Sequence, residues 1–219
     1  MKLDGLLSLL IACIEIVFII NLLIFAAKNN VNKLVILLII LLFEYQFIEF
    51  LICFAGLQKQ IFIYLALLSI SLLPPLSLFT ALTFDKKESF YNLLIFIPAL
   101  FFIVYYPFVI DRFAVTKCTV LYASYHYPLG DLYGIIYYLP VIATMILLYR
   151  KWKAEDNIKQ KSLTRVFLFG YLFTFLPAII FVLAFPSLIK SVESLLCKFA
   201  FVLAAFLTYF ALNNKMNKV

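Results

Sequence analysis

The chain has 219 residues, of which 66% are apolar and only 13% charged, with a formal net charge of +7. Its mean hydropathy of +1.10 excludes a soluble globular domain. The positive charge reads as a collar of membrane-flanking cations that attracts anionic lipid, not as a nucleic-acid surface.

A spanning helix needs about 20 mostly apolar residues. Polar punctuation cuts the chain into seven such runs, near 5–27, 34–56, 61–83, 90–110, 132–149, 164–185 and 188–212. The expected fold class is therefore all-α, a single seven-helix transmembrane domain over 1–219. The first run has no small-residue cleavage site before its next charge, so it reads as a retained span rather than a signal peptide. The remaining segments are too short for an attached soluble domain. No internal repeat supports an inverted-repeat transporter.

The second run holds FEYQFIEF, residues 43–50, which places Glu44, Gln46 and Glu49 in a span. The third holds SISLLPPLSLF. Pro74-Pro75 must remove backbone hydrogen bonds there, and Ser69, Ser71 and Ser77 can satisfy freed groups. Pro98, Pro107, Pro140 and Pro177 spread further bends through spans four to six, which suits an irregular bundle with a pocket. The connection 111–131 is rich in tyrosine (Tyr122, Tyr125, Tyr127, with His126 among them and Tyr133 just beyond). It reads as an interfacial aromatic belt, or else as a lid over the bundle. The segment 150–163 reads as a solvated extension of the fifth helix anchored by Trp152.

Cys13, Cys53 and Cys197 fall in apolar runs and Cys118 alone in a connection, so no loop–loop disulfide is expected. No CxxC and a single histidine argue against a zinc site, and neither a metal nor an organic cofactor is expected.

Lysine and arginine in the connections set the orientation. One side holds Lys2, Lys59, Arg112, Lys117 and Lys190. The other holds more than twice as many, from Lys28 and Lys33 through Arg150, Lys151 and Lys153 to Lys215 and Lys218. This places the N-terminus outside and the C-terminus in the cytoplasm.

Ionisable groups inside a span are costly unless paired. At about 1.5 Å per residue, Glu15 and Glu44 lie about 16 Å deep and Lys198 about 18 Å deep. All three are near the midplane of a core about 30 Å thick. In a sequential ring helix one touches helices two and seven, so Lys198 is expected to reach Glu15, Glu44 or both. Gln46 and Glu49 share a face. Glu44 lies about 140° away from Glu49 and points elsewhere. Glu15, Glu44, Gln46, Glu49 and Lys198 form the candidate polar cluster, with no catalytic residue assigned. The bland alternative is a Lys–Glu pair that only locks helices together.

At FEYQFIEF, PPLSL and SVESLLCKFAFVLAAFLTYF the chain resembles an uncharacterised family of small bacterial heptahelical membrane proteins. That family carries a Gln-x-x-Glu element in its second helix, matched by Gln46 and Glu49. It carries a Ser-Val-x-Cys-type stretch in its last, loosely matched by Ser191-Val192 and Cys197 and followed by Phe199 and Ala200. Lys198 departs from the pattern. The layout is also similar to the membrane sensor portion ahead of some bacterial histidine kinases. The resemblance implies seven spans and a bacterial plasma (inner) membrane location.

The expected function is binding or sensing of a small or lipid-like ligand through a protein partner, with membrane lipids around it and no nucleic acid. The alternatives are a transporter or channel for a proton, ion or small solute, and a lipid-modifying membrane enzyme. A more distant one is a rhodopsin-like protein with a Schiff base on Lys198. Against that last reading, the third span has no acid and no span has a tryptophan.

Overall fold

The computed structural model describes residues 4–87, 89–120, 123–184 and 192–215, without the side chains of 178, 179, 181–183 and 192–195. Lys2, Tyr122, Pro186, Lys190, Ser191 and Lys218, and the side chain of Val192, lie outside the described residues.

The helices are α1 (Leu6–Phe25), α2 (Asn30–Cys53), α3 (Gln60–Phe84), α4 (Ile97–Tyr105), α5 (Gly130–Ala154), α6 (Ile158–Ala184) and α7 (Val192–Asn213). Among the described residues, six stretches are long and apolar enough to cross a membrane: α1, α2, α3, Phe90–Arg112, α5 and Leu196–Asn213. Membrane-spanning helices are favoured because each satisfies its own backbone in a medium that offers no water.

The fourth stretch is not a regular helix. Short 3₁₀ segments, Phe90–Phe96 and Tyr106–Arg112, flank α4, and a proline opens each of α4 and the second 3₁₀ segment. A 3₁₀ turn eclipses its side chains every three residues and offers no continuous ridge for packing. Accordingly α3 packs chiefly on α2 and α5, and the fourth stretch packs less closely, mainly against α3. The remaining neighbours are α1 on α2 and α7, α2 on α3 and α7, and α6 on α5 and α7.

Pro74 and Pro75 sit inside α3, which continues helical through them to Phe84. The nearby serines do not serve as expected. Ser69 and Ser71 donate to the carbonyls of Leu65 and Leu67, and Ser77 pairs with the Tyr171 hydroxyl.

The described residues are all-helical, as the composition predicts, but for one small hairpin. The connection after the fourth stretch forms an antiparallel hairpin, β1 (Ala114–Cys118) and β2 (Ala123–His126), with a bulge between Val115 and Lys117. Its Cys118 is bonded to Cys53 at the end of α2. The reading of Cys53 as a free apolar thiol is thus overturned. Cys53 belongs to an apolar run but is its last helical residue, and there it meets the hairpin. Gly5 completes this corner. It adopts φ 78, its N–H donates to the Thr119 carbonyl, and a Cβ on it would sit 3.1 Å from Cys53 Cβ.

Nor do the tyrosines form a simple surface belt. Tyr106 and Tyr133 are buried and pack edge-on or tilted with Phe102, Phe113 and Tyr127. Ser71 joins the group through the Tyr133 hydroxyl at 3.0 Å.

The opposite end is closed by two clamps. Asn32 donates to the carbonyls of Ala211 and Asn214, Asn29 donates to the Asn214 carbonyl, and Asn214 donates back to Asn32. These amides satisfy the last carbonyls of α7, which its own helix leaves open. Across the bundle Lys151 of α5 pairs with Asp85 at 3.0 Å and donates to the Phe84 carbonyl. Burial pushes the Asp85 carboxyl up, but hydrogen bonds from Lys87 and Lys151 outweigh it and hold the group below its ordinary value.

The α6–α7 contact depends on Gly170. A Cβ there would lie 2.9 Å from Phe206 Cβ and 3.1 Å from Leu203 Cδ1. Small residues permit such close helix approach in membranes. Gly170→Ala is therefore expected to push α7 outward and destabilise the fold by about 1–3 kcal/mol, the usual range for overpacking. An unchanged unfolding midpoint would show that α7 can shift freely.

Candidate functional site

α1 presents Ser8, Ile11, Ala12, Glu15 and Leu22 to the interior, one face at helical spacing. α2 presents Gln46 and Glu49 there, and α7 presents Lys198. Lys198 Nζ donates to Glu49 Oε1 at 2.6 Å, to Gln46 Oε1 at 2.8 Å and to Ser8 Oγ at 2.8 Å. Ser8 in turn donates to Glu49 Oε1 at 3.1 Å, and Gln46 Nε2 to the Cys197 carbonyl at 2.5 Å. An ammonium has three donors, and all three are engaged. Charge-assisted bonds of this kind are the strong ones, and the low dielectric around them raises the cost of breaking any one.

Lys198 does not contact the acids expected for it. Its partner is Glu49. Glu44 is half-buried and takes no part in the cluster. Glu15 is 0% exposed, yet neither carboxylate oxygen has a hydrogen-bond partner among the described residues. The charge of Lys198 still reaches it through space. The cluster also lies nearer one end of the bundle than depth counting suggests. Ser8 is the third residue of α1, and Glu49 lies one turn before the Cys53 end of α2.

The hairpin covers this end. Tyr125 of β2 has a fully buried hydroxyl with no hydrogen-bond partner among the described residues. Burial pushes that phenol well above its ordinary range and the Glu49 charge adds to it, so it remains a hydroxyl. The disulfide at Cys53, four residues beyond Glu49, fixes the hairpin in this place.

On an adjacent face of α7 lies an internal cavity of about 40 Å³. Pro74, Ser77, Tyr137, Tyr171, Thr174 and Cys197 are among its walls. Its lining is mainly apolar, with hydroxyls from four of these residues. A void of this size holds a few water-sized molecules. Cys197 joins cavity and cluster, since its backbone receives Gln46 while its side chain lines the void.

Sequence reasoning missed Ser8 and the three asparagines, and it placed Tyr125 in an aromatic belt or lid without joining it to the cluster. Ser8 could have been found: it lies seven residues before Glu15, two turns along the same helical face. Tyr125 depends on the hairpin register, and no pattern within the spans reveals that.

No family model, no curated protein and no solved structure matches this chain.

Proposed function

We propose that this protein is a seven-span binding or sensing module of a bacterial plasma membrane. It takes a small or lipid-like ligand beneath an outward-facing hairpin and passes the occupied state to a protein partner. The observation that carries this reading is the conjunction of the buried Lys198–Glu49–Gln46–Ser8 cluster with a small cavity on the next face of α7. A purely structural ion pair needs no cavity beside it. The cavity's mainly apolar lining favours a small apolar group, such as the end of a chain, beside a polar group that bonds to Ser77, Tyr171 or Thr174.

Orientation follows from two independent features. The disulfide lies at the end that also bears Lys59, Arg112 and Lys117, the cation-poor side. Disulfides persist on the oxidising side of a plasma membrane, and the cation-poor side faces outward. We take α6 as the seventh span; its 27 residues and its packing against α5 and α7 support this.

Catalysis and Schiff-base chemistry fit less well. A lysine with all three donors bonded offers no lone pair. Transport of a proton or ion is the second reading, and the uncompensated Glu15 is what favours it.

The test is native mass spectrometry of the purified, disulfide-intact protein. A stoichiometric small molecule is expected in the wild type and absent from Ala200→Leu, which fills the cavity. An empty wild type that also shows no thermal shift with any fraction of a host lipid extract would overturn the binding reading. Flux through proteoliposomes would then decide for transport.

A further inference from the structure

Glu15 is a carboxylate at 0% exposure with no donor to either oxygen among the described residues. An isolated buried carboxylate anion costs far more than a neutral acid. The charged groups around it can be named element by element. On α7, Lys198 acts on it through space, and the adjacent Cys197 is a buried thiol. On α2, Glu49 is bonded to Ser8, two turns outward on the same α1 face, while Glu44 is half-buried on another side. On α1 itself, Cys13 is exposed. From the hairpin, Tyr125 faces Glu49. Two acids therefore share one ammonium.

The geometry lets that ammonium choose. Side chains on a helix lean toward its N-terminus. Lys198 accordingly reaches outward to Ser8 and Glu49, and its Cα lies deeper than its charge. A lysine stem has four rotatable carbons. Turned the other way, it approaches Glu15, about 10 Å further along α1 than Ser8.

We propose that Glu15 and Glu49 form a proton-binding site that holds one proton, with Lys198 shared between them. While the ammonium rests on Glu49, Glu15 carries the proton. When the ammonium turns to Glu15, that proton leaves and Glu49, beneath the Tyr125 hydroxyl, takes one up. In both arrangements two carboxylates, one ammonium and one proton sum to zero charge, which is what a low-dielectric interior requires. No redox step or bond other than O–H is involved. The site operates whether or not the neighbouring cavity takes a ligand.

Infrared difference spectroscopy of the purified protein in H₂O and D₂O reads this directly through the carbonyl stretch of a protonated carboxylic acid. The wild type is expected to show such a band, and Glu15→Gln to lose it. The decisive variant is Glu49→Gln. There Lys198 must take Glu15 as its counterion, so the band is expected to vanish although Glu15 is intact. A band that persists in Glu49→Gln shows a permanently neutral Glu15 and overturns the proposal. So does a wild type without the band. Should Glu49→Gln yield no folded protein, Glu15 has failed to take over the cation, and the shared-lysine arrangement is likewise refuted. Lys198→Met is expected to strengthen the band, because both acids then carry protons.

Discussion

Lys198→Met is expected to destabilise the protein by about 3–5 kcal/mol, the range for stripping one partner from a buried ion pair. The loss has two parts. Glu49 keeps its buried position without a cation, and Gln46 and Ser8 lose the donor they both accept from. Adding Glu49→Gln to Lys198→Met removes the orphaned acid, and most of the loss should return. Adding Glu44→Gln instead should return nothing, because Glu44 stands apart from the cluster. Chemical unfolding in one detergent, with the three variants side by side, checks this. A double variant no more stable than Lys198→Met alone would remove Glu49 as the partner. The effect is also asymmetric. Glu49→Gln leaves Lys198 with Glu15 in reach and should cost less than Lys198→Met.

Depth along a helix axis is a property of Cα positions, and at that level Lys198 matches Glu15 and Glu44 rather than Glu49. The ammonium, however, stands a full lysine stem away from its Cα, displaced toward the start of α7. Glu49 lies five residues outward of Glu44, about 7.5 Å along α2. The stem and the lean of the side chain cover that difference. The helical elements were legible because apolar runs of spanning length have few alternatives in a bilayer. The fourth was legible as a run but not as a broken helix, since hydropathy is blind to where Pro98 and Pro107 interrupt hydrogen bonding. The hairpin and the Cys53–Cys118 bond were hidden for a related reason. Pairing between strands is set by register, and a cysteine at the last turn of a span reads as one more apolar residue. The clamp of Asn29, Asn32 and Asn214 joins residues about 180 positions apart, and its members look like ordinary polar punctuation until α2 and α7 are placed side by side.

Cys118→Ser should bring the second large change, and it should be local before it is global. The Cys53–Cys118 bond closes a separation of 65 residues that includes α3, the fourth stretch and β1. Chain entropy gives a loop of that size about 4 kcal/mol. That figure is an upper bound here, because spans held in a bilayer never sample a random coil and the unfolded chain has less freedom to lose. The folded-state consequence is sharper. Without the bond the hairpin still has its own ladder, the Gly5–Thr119 hydrogen bond and its aromatic packing against Tyr106 and Tyr133. The Tyr125 hydroxyl is then free to leave Glu49, and water can enter above the cluster. Hydrogen exchange should therefore rise in residues 114–118 and 123–126 and at the outer turn of α2, with no change along α6. Reductant should reproduce the effect in the wild type and add nothing to Cys118→Ser. Cys13→Ser, which removes an exposed free thiol, should be silent in both measurements. If exchange at the hairpin and the unfolding midpoint both stay at wild-type values, packing alone holds the hairpin and the bond is incidental. If exchange rises there while the Glu49–Lys198 pair also weakens in a Lys198→Met cycle, the hairpin is part of what keeps the cluster dry, and the Cys53 end of α2 becomes the place where anything that reaches the cluster must first act.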